Sequence, residues 1–245
     1  MDKRDYEKDW PGLPIKYLIV ASKEYIVFLD HENDIDWKTS DAFDAQPETP
    51  EEKKEYYSAK NEIDSAESTP INHIDEKVVI GFKRQLGEAL VRAFEGDYDN
   101  ARKMVKLAQD FILQRNIEQS RFMFLISCGV TTAVALLIAI IFWLIREPLI
   151  VNIGNTAFFI VLSVLIGSFG ALLSVILRMG KTILDYNASK KLHYLEGSSR
   201  VIAGMISAFI VALCIKTGIL LPIFTKIEST NIAMVLGGLI AGASE

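Results

Sequence analysis

The chain has 245 residues, half of them hydrophobic, and a formal net charge of −5. The charge is uneven: residues 1–120 carry 17 Lys and Arg against 26 Asp and Glu, and residues 121–245 carry nine against five. An acidic first half argues against nucleic-acid binding, because counterion release from phosphates requires clustered basic residues.

Residues 1–72 predict an acidic cytosolic segment that contains a β-hairpin and a flexible linker. Its first residues are charged and no apolar stretch follows them, so we expect no cleaved signal peptide. Residues 16–21 and 24–30 are rich in β-branched and aromatic residues, which is typical of two paired strands. Residues 38–72 are poor in apolar residues and contain three prolines, which favours a mobile linker with a short exposed helix.

Carboxylates alternate along residues 30–36, as they do in a calcium-binding loop. The pattern departs from that loop at Ile35, where the tight turn requires Gly, and at Asp41, where Glu is expected. We therefore interpret residues 30–36 as a solvated acidic turn and predict no metal site.

Residues 73–120 predict an amphipathic helical hairpin. Apolar residues recur at helical spacing from Ile74 to Phe94. Gly96 can take the left-handed conformation that ends a helix, and Asp97 can cap the next one. Neither Pro nor Gly occurs in residues 114–120, so the second helix can continue through them into the apolar half of the chain.

Residues 121–245 predict a transmembrane domain with spans at about 122–145, 156–177, 201–224 and 231–244. The first span has 24 residues without a charge, and about 20 apolar residues cross a hydrocarbon core. The last stretch has 14 residues, too few for a straight crossing. The predicted fold class is a membrane all-α protein with three full transmembrane helices and a short fourth, preceded by a small cytosolic α+β domain.

Basic residues predict the orientation in the membrane. Five of them lie between the second and third spans, and four more lie in the helix before the first span. The positive-inside rule then places the N-terminus in the cytosol. The basic residues of the 178–200 loop are predicted to contact anionic lipid headgroups, at about 1 kcal/mol each: Arg178, Lys181, Lys190, Lys191 and Arg200.

Small residues recur four apart in the later spans, a pattern that lets helix backbones approach closely in lipid. Two interpretations stay open: the ridges pack the spans of one chain together, or at least one ridge is a seam between copies in a homo-oligomer. The residues of these ridges are Gly167, Gly170, Ala171, Gly204, Ala208, Gly237, Gly238 and Gly242.

Lys216 is the one charged residue inside a predicted span. An ionisable group within a membrane is a functional candidate by default, so a pore-lining or partner-bound role is one interpretation. The other is that its stem extends towards the interface and leaves the ammonium group in water.

The sequence offers no catalytic signature. It contains no Gly-x-Ser-x-Gly, P-loop, dinucleotide fingerprint or His-Glu-x-x-His. His31, His73 and His193 have no ligand spacing, and the cysteines Cys128 and Cys214 lie in apolar stretches. We expect a protein that is not an enzyme and has no cofactor.

The C-terminal part, about 50 residues, combines Leu-x-x-Leu-Glu-Gly-Ser-Ser up to Arg200 with a Gly-rich span that ends in Gly-Ala-Ser-Glu. In this it resembles uncharacterised bacterial multi-pass membrane proteins. The resemblance implies a bacterial inner membrane and carries no activity.

The first functional hypothesis is a non-enzymatic inner-membrane protein whose cytosolic domain senses or binds a partner and whose Gly-rich helices self-associate. Such a protein could perturb the membrane, as defence or toxin-type effectors do. The alternatives are a membrane-anchored immunity or scaffold protein that sequesters a partner, and a small channel or transporter. Expected partners are the lipid bilayer, further copies of the chain, and a cytosolic protein or small-molecule signal bound through residues 1–118.

Overall fold

The computed structural model describes residues 5–47, 49–71, 74–181, 185, 188–219 and 229–244. The chain divides into two compact units, Met1–Asn116 (unit 1) and Ile117–Glu245 (unit 2). Helix α4, Tyr98–Leu144, contributes its first part to unit 1 and the remainder to unit 2. Its 47 residues form one helix, as the uninterrupted sequence pattern predicts.

Unit 1 contains an antiparallel sheet with the strand order β1-β2-β3. The predicted hairpin is present as β1, Tyr17–Ala21, and β2, Tyr25–Leu29. A third strand, β3, Ile35–Thr39, pairs with β2 and begins inside the stretch interpreted as an acidic turn. The turn itself is short, because the Asp30 side chain accepts hydrogen bonds from the backbone N–H groups of Glu32 and Asp34.

The sheet is covered on both faces, which explains why every residue of β2 is buried. Ile26 and Phe28 pack against Trp10 of the N-terminal segment, whose indole Nε1 donates to the carbonyl of Ser22 at 2.8 Å. The alternate residues of β2 face the helices of unit 1. This arrangement gives the sheet the packing that a lone hairpin would lack.

Unit 1 continues with α1, Asp41–Asp44, α2, Pro50–Glu67, and α3, Glu76–Phe94. Helix α2 lies within residues 38–72, where the sequence predicted a mobile linker with a short exposed helix. A capping box between Thr49 and Glu52 starts this helix, and Ile63 on its inner face is buried in the same core as the sheet and α3. The sheet and the helical hairpin therefore belong to one compact unit.

Three carboxylates of unit 1 have a lowered pKa, which predicts that acid weakens this unit. The Thr49 backbone N–H holds down the pKa of Glu52, the Lys16 ammonium that of Glu76, and the Asn100 side chain that of Asp97. Groups with a lowered folded-state pKa contribute stability above their unfolded values, and that contribution is lost as the pH falls through the folded values.

We therefore expect the free energy of unfolding of unit 1 to fall between about pH 5 and pH 3. The measurement is urea denaturation of the full chain in uncharged detergent, followed by the fluorescence of Trp10 and Trp37 in a Trp143→Phe background. Glu76→Gln should make the pH dependence shallower. A free energy of unfolding that is constant over this range would contradict the prediction.

Unit 2 contains the rest of α4, then α5, Arg146–Ile153, α6, Asn155–Arg178, α7, Lys190–Lys216, and α8, Thr230–Ala243. Three helices, α4, α6 and α7, are long and apolar enough to cross a membrane by length and composition. This confirms the coarse prediction of three long apolar helices and a short fourth, preceded in the chain by a small sheet.

The helix bounds differ from the predicted spans in two places. Helix α5 occupies the predicted turn over 146–155, and Gly154, with a φ of 84°, separates it from α6. Helix α7 begins at Lys190 instead of 201 and ends at Lys216 instead of 224. Its first turns were missed because they are polar; the last part of the predicted span lies outside the described residues.

Helices α4 and α6 pack antiparallel. The Thr132 hydroxyl of α4 contacts the carbonyl of Ser168 in α6 at 3.4 Å. Further along α4, Phe142 stacks on Phe158, which comes earlier in α6, with ring centroids 5.7 Å apart. The first turns of α4 within unit 2 therefore lie beside the C-terminal end of α6.

Candidate functional site

Helices α6 and α8 meet along a seam of small residues, which we call the glycine seam: Ser163, Gly167, Gly170, Gly238 and Gly242. A methyl group placed on Gly242 would overlap the Gly167 carbonyl oxygen and lie 3.1 Å from its Cα atom. A methyl group on Gly170 would lie 2.8 Å from the backbone nitrogen of Ala243. The two backbones are therefore in direct contact, which only residues without a side chain permit.

The contact between α6 and α7 also depends on predicted ridge residues. A methyl group on Gly204 of α7 would lie 2.5 Å from the Cβ atom of Ala171 in α6. One turn earlier in α6, Gly167 faces Ala208, which comes later in α7. The two helices are therefore antiparallel, and α7 runs in the same direction as α4.

The ridges predicted from sequence are thus occupied within one chain, and Gly237 is also buried, in α8. This placement matches the first interpretation of the small-residue pattern. Contact between copies of the chain stays a prediction.

Buried hydroxyl groups reinforce the same contacts. The Ser163 hydroxyl donates to the carbonyl of Met234 at 2.7 Å, and the Ser127 hydroxyl donates to the carbonyl of Tyr194 at 2.6 Å. Each polar side chain satisfies a helix carbonyl on a neighbouring helix. These groups act as packing contacts between helices.

Lys216 is the last residue of α7 and is exposed. The helix ends directly after it, where the Thr217 backbone N–H bonds to the carbonyl of Leu213 and Gly218 takes a φ of 75°. A charge at a helix end, instead of in the middle of a span, favours the interpretation in which the ammonium group reaches the interface.

The predicted headgroup residues gather at one end of unit 2, which we call the basic end. Arg178 closes α6, while Lys190 and Lys191 open the antiparallel α7. Arg200 lies further along α7 and is exposed, and Lys181 belongs to a 3₁₀ turn, Met179–Lys181. Antiparallel packing therefore brings together the residues of the predicted polar loop.

Two polar side chains at this end were not predicted. His193 of α7 is fully buried, and within the described part of the chain neither of its ring nitrogens has a hydrogen-bond partner. The Glu196 carboxylate comes within 3.7 Å of its Nδ1 atom. On α4, the Nε atom of Arg121 is buried and likewise has no partner there.

A close contact between α4 and α7 defines where Arg121 and His193 lie along the bundle axis. A methyl group on Gly197 would lie 2.7 Å from the carbonyl oxygen of Phe124, and the Cys128 thiol is 3.3 Å from the Gly197 carbonyl. Arg121 lies about one turn before Phe124, and His193 lies about one turn before Gly197. Since α4 and α7 run in the same direction, Arg121 and His193 lie at the same end.

Comparison with protein families, with curated proteins and with solved structures finds no match to this chain. Among the described residues, no group of three His, Cys, Asp or Glu side chains is placed to hold a metal ion.

Proposed function

We propose that the protein is a non-enzymatic multi-pass membrane protein that holds an acidic binding unit at the cytosolic face of a bacterial inner membrane. Unit 1 binds a partner, and unit 2 keeps it at the lipid surface. The observation that carries this proposal is that the glycine seam closes within one chain. The bundle thus has the packing expected of an anchor.

The composition of the two units supports the proposal that unit 2 lies in lipid and unit 1 in water. The long helices of unit 2 expose many large apolar side chains, such as Leu137, Ile141 and Leu177, which is costly in water and normal in lipid. Unit 1 has a core of its own and carries most of the acidic residues. The basic end agrees with a cytosolic location under the positive-inside rule.

A channel and a self-associating effector would each need polar groups or glycines that already make contacts between the helices of unit 2. A channel needs polar groups free to face a pore, whereas the Ser127 and Ser163 hydroxyls are engaged by helix carbonyls. A membrane-perturbing effector that self-associates through its glycines would first have to open the glycine seam. Partner sequestration by unit 1 requires neither change.

We expect the full chain, reconstituted in liposomes, to cause no more dye leakage than empty liposomes do. In cells, photo-crosslinkers at exposed positions of unit 1 should trap one dominant partner, and the same partner should be trapped when an unrelated transmembrane anchor replaces unit 2. The measurements are dye release and mass spectrometry of the crosslinked bands.

Two outcomes would contradict the proposal. One is leakage by the full chain that disappears in Gly238→Leu and persists in the control Gly129→Leu, whose Cβ position meets no atom within 4 Å. That result would favour the effector. The other is crosslinking that requires the native unit 2, since the bundle would then take part in partner recognition.

A further inference from the structure

We propose that the basic end of unit 2 contains a phosphate-binding site, formed by the Arg121 guanidinium and the His193 imidazole. The site would take the phosphate of a lipid headgroup or a free phosphate. It goes beyond the proposed function, and its failure would leave partner binding by unit 1 unaffected.

Arg121 and His193 have buried nitrogen atoms without hydrogen-bond partners in the described part of the chain. A guanidinium is permanently charged and has only donors, so the Arg121 Nε–H needs an acceptor. The Nε atom is buried without one among the described residues, as are both ring nitrogens of His193. Buried polar groups in native proteins almost always have a partner. A guanidinium nitrogen and an imidazole, both buried without a partner at one end of a bundle, indicate a missing ligand that accepts from the guanidinium and bonds to the imidazole.

Arg121 is only partly buried, although its Nε atom is shielded. The guanidinium can therefore present its terminal nitrogens at the surface and its Nε–H inward. A fork of this kind matches two oxygens of a phosphate, and the hydrogen bonds it makes are charge-assisted.

The charged side chains around Arg121 and His193 are mostly basic. The basic end also carries Arg178, Lys181, Lys190, Lys191 and Arg200. The acidic side chains nearby are Glu118 on α4, Asp185 before α7, and Glu196, which approaches His193 at 3.7 Å. Basic groups outnumber acidic ones, so this end attracts an anion.

Arg121 is the last charged residue before the apolar stretch, and the next residue, Phe122, is 58% exposed. An arginine at this boundary lies at the level where the phosphates of a bilayer meet the hydrocarbon. This position favours a lipid phosphate over a free one.

The test uses the full chain in uncharged detergent with two probes, phosphatidylglycerol and inorganic phosphate. Native mass spectrometry measures lipid occupancy, with diacylglycerol as the probe that lacks phosphate, and thermal unfolding measures the response to inorganic phosphate. The variants are Arg121→Gln and His193→Phe. Lys191→Gln is the matched control, because it removes the same charge from an exposed residue of the same end.

We expect Arg121→Gln to weaken phosphatidylglycerol binding by about tenfold or more, since it removes a charge-assisted pair of bonds. His193→Phe should weaken it less, and Lys191→Gln by no more than about fivefold, the effect of one surface charge. Diacylglycerol should not bind. A thermal shift with inorganic phosphate in the wild type, absent in Arg121→Gln, would identify free phosphate as a ligand of the same site.

Arg121→Lys controls for misfolding of Arg121→Gln, because it keeps the positive charge and loses only the paired donors of the guanidinium. It should fold and still bind phosphatidylglycerol more weakly than the wild type. Equal affinity of wild type, Arg121→Lys and His193→Phe would overturn the proposal. So would an equal loss in Lys191→Gln and Arg121→Gln, which would indicate a diffuse surface field instead of a site.

Discussion

Gly242→Ala is expected to destabilise unit 2 strongly. The new methyl group would overlap the Gly167 carbonyl oxygen and lie 2.8 Å from the Gly167 carbonyl carbon. Both are backbone atoms of α6, so no side chain can rotate away and the helices must separate. Overpacking of this kind costs about 1–3 kcal/mol, and separation of α8 from α6 would add to it.

The measurement is the thermal unfolding temperature of the detergent-purified full chain. Gly129→Ala is the matched control, because Gly129 also lies in an apolar helix, α4, and its Cβ position meets no atom within 4 Å. We expect the control to unfold at the wild-type temperature or slightly above it, since Ala favours helix over Gly. Equal unfolding temperatures for the two variants would show that the glycine seam is not a tight contact.

The sequence predicted the small residues of this seam, but it could not predict their partners. Spacing by four identifies the face of a helix that can approach another backbone. It does not show which helix fills that face, because α7, α8 and a second copy of the chain would all satisfy the same pattern. The pairing of Gly167 with both Ala208 and Gly242 becomes apparent only from the packing of three helices.

Local patterns also explain which elements were missed. Helix α2 has few apolar residues, and only Ala59, Ile63 and Ala66 are buried, so its periodicity is weak. Strand β3 alternates Ile35 and Trp37 with charged residues, and its assignment depends on the free edge of β2. In both cases tertiary contacts decide a structure that propensity alone leaves open.

His193 and Arg121 illustrate the same limit at the candidate site. Each lies in a polar stretch that precedes an apolar one, and a side chain in such a position is normally solvated. The early start of α7 at Lys190 turns His193 inward, on the face that continues through Gly197 and Val201. Apolar spacing in a sequence predicts the inward face of a helix. It does not predict where a helix begins when its first turns are polar.

Unit 1 contains an ion pair whose loss should have the second large effect. Lys83 of α3 is 5% exposed, and its ammonium lies 2.7 Å from Glu67 of α2 and 3.2 Å from Asp34 in the turn before β3. The same Glu67 carboxylate accepts the backbone N–H of Ile35 at 3.0 Å. One lysine therefore joins α3 to α2 and to the sheet.

Lys83→Met is expected to lower the free energy of unfolding of unit 1 by about 2–4 kcal/mol, because it keeps the apolar stem and leaves the Glu67 charge without its cation. Urea denaturation of the full chain in the Trp143→Phe background, followed by the fluorescence of Trp10 and Trp37, measures the loss. The neighbouring Arg84→Gln is the control: its ion pair with Glu88 at 3.2 Å is exposed, so we expect a change below about 0.5 kcal/mol. Adding Glu67→Gln to Lys83→Met should recover part of the loss, since the uncompensated charge is removed. A double variant less stable than Lys83→Met by the full effect of Glu67→Gln alone would show that the two side chains are not coupled.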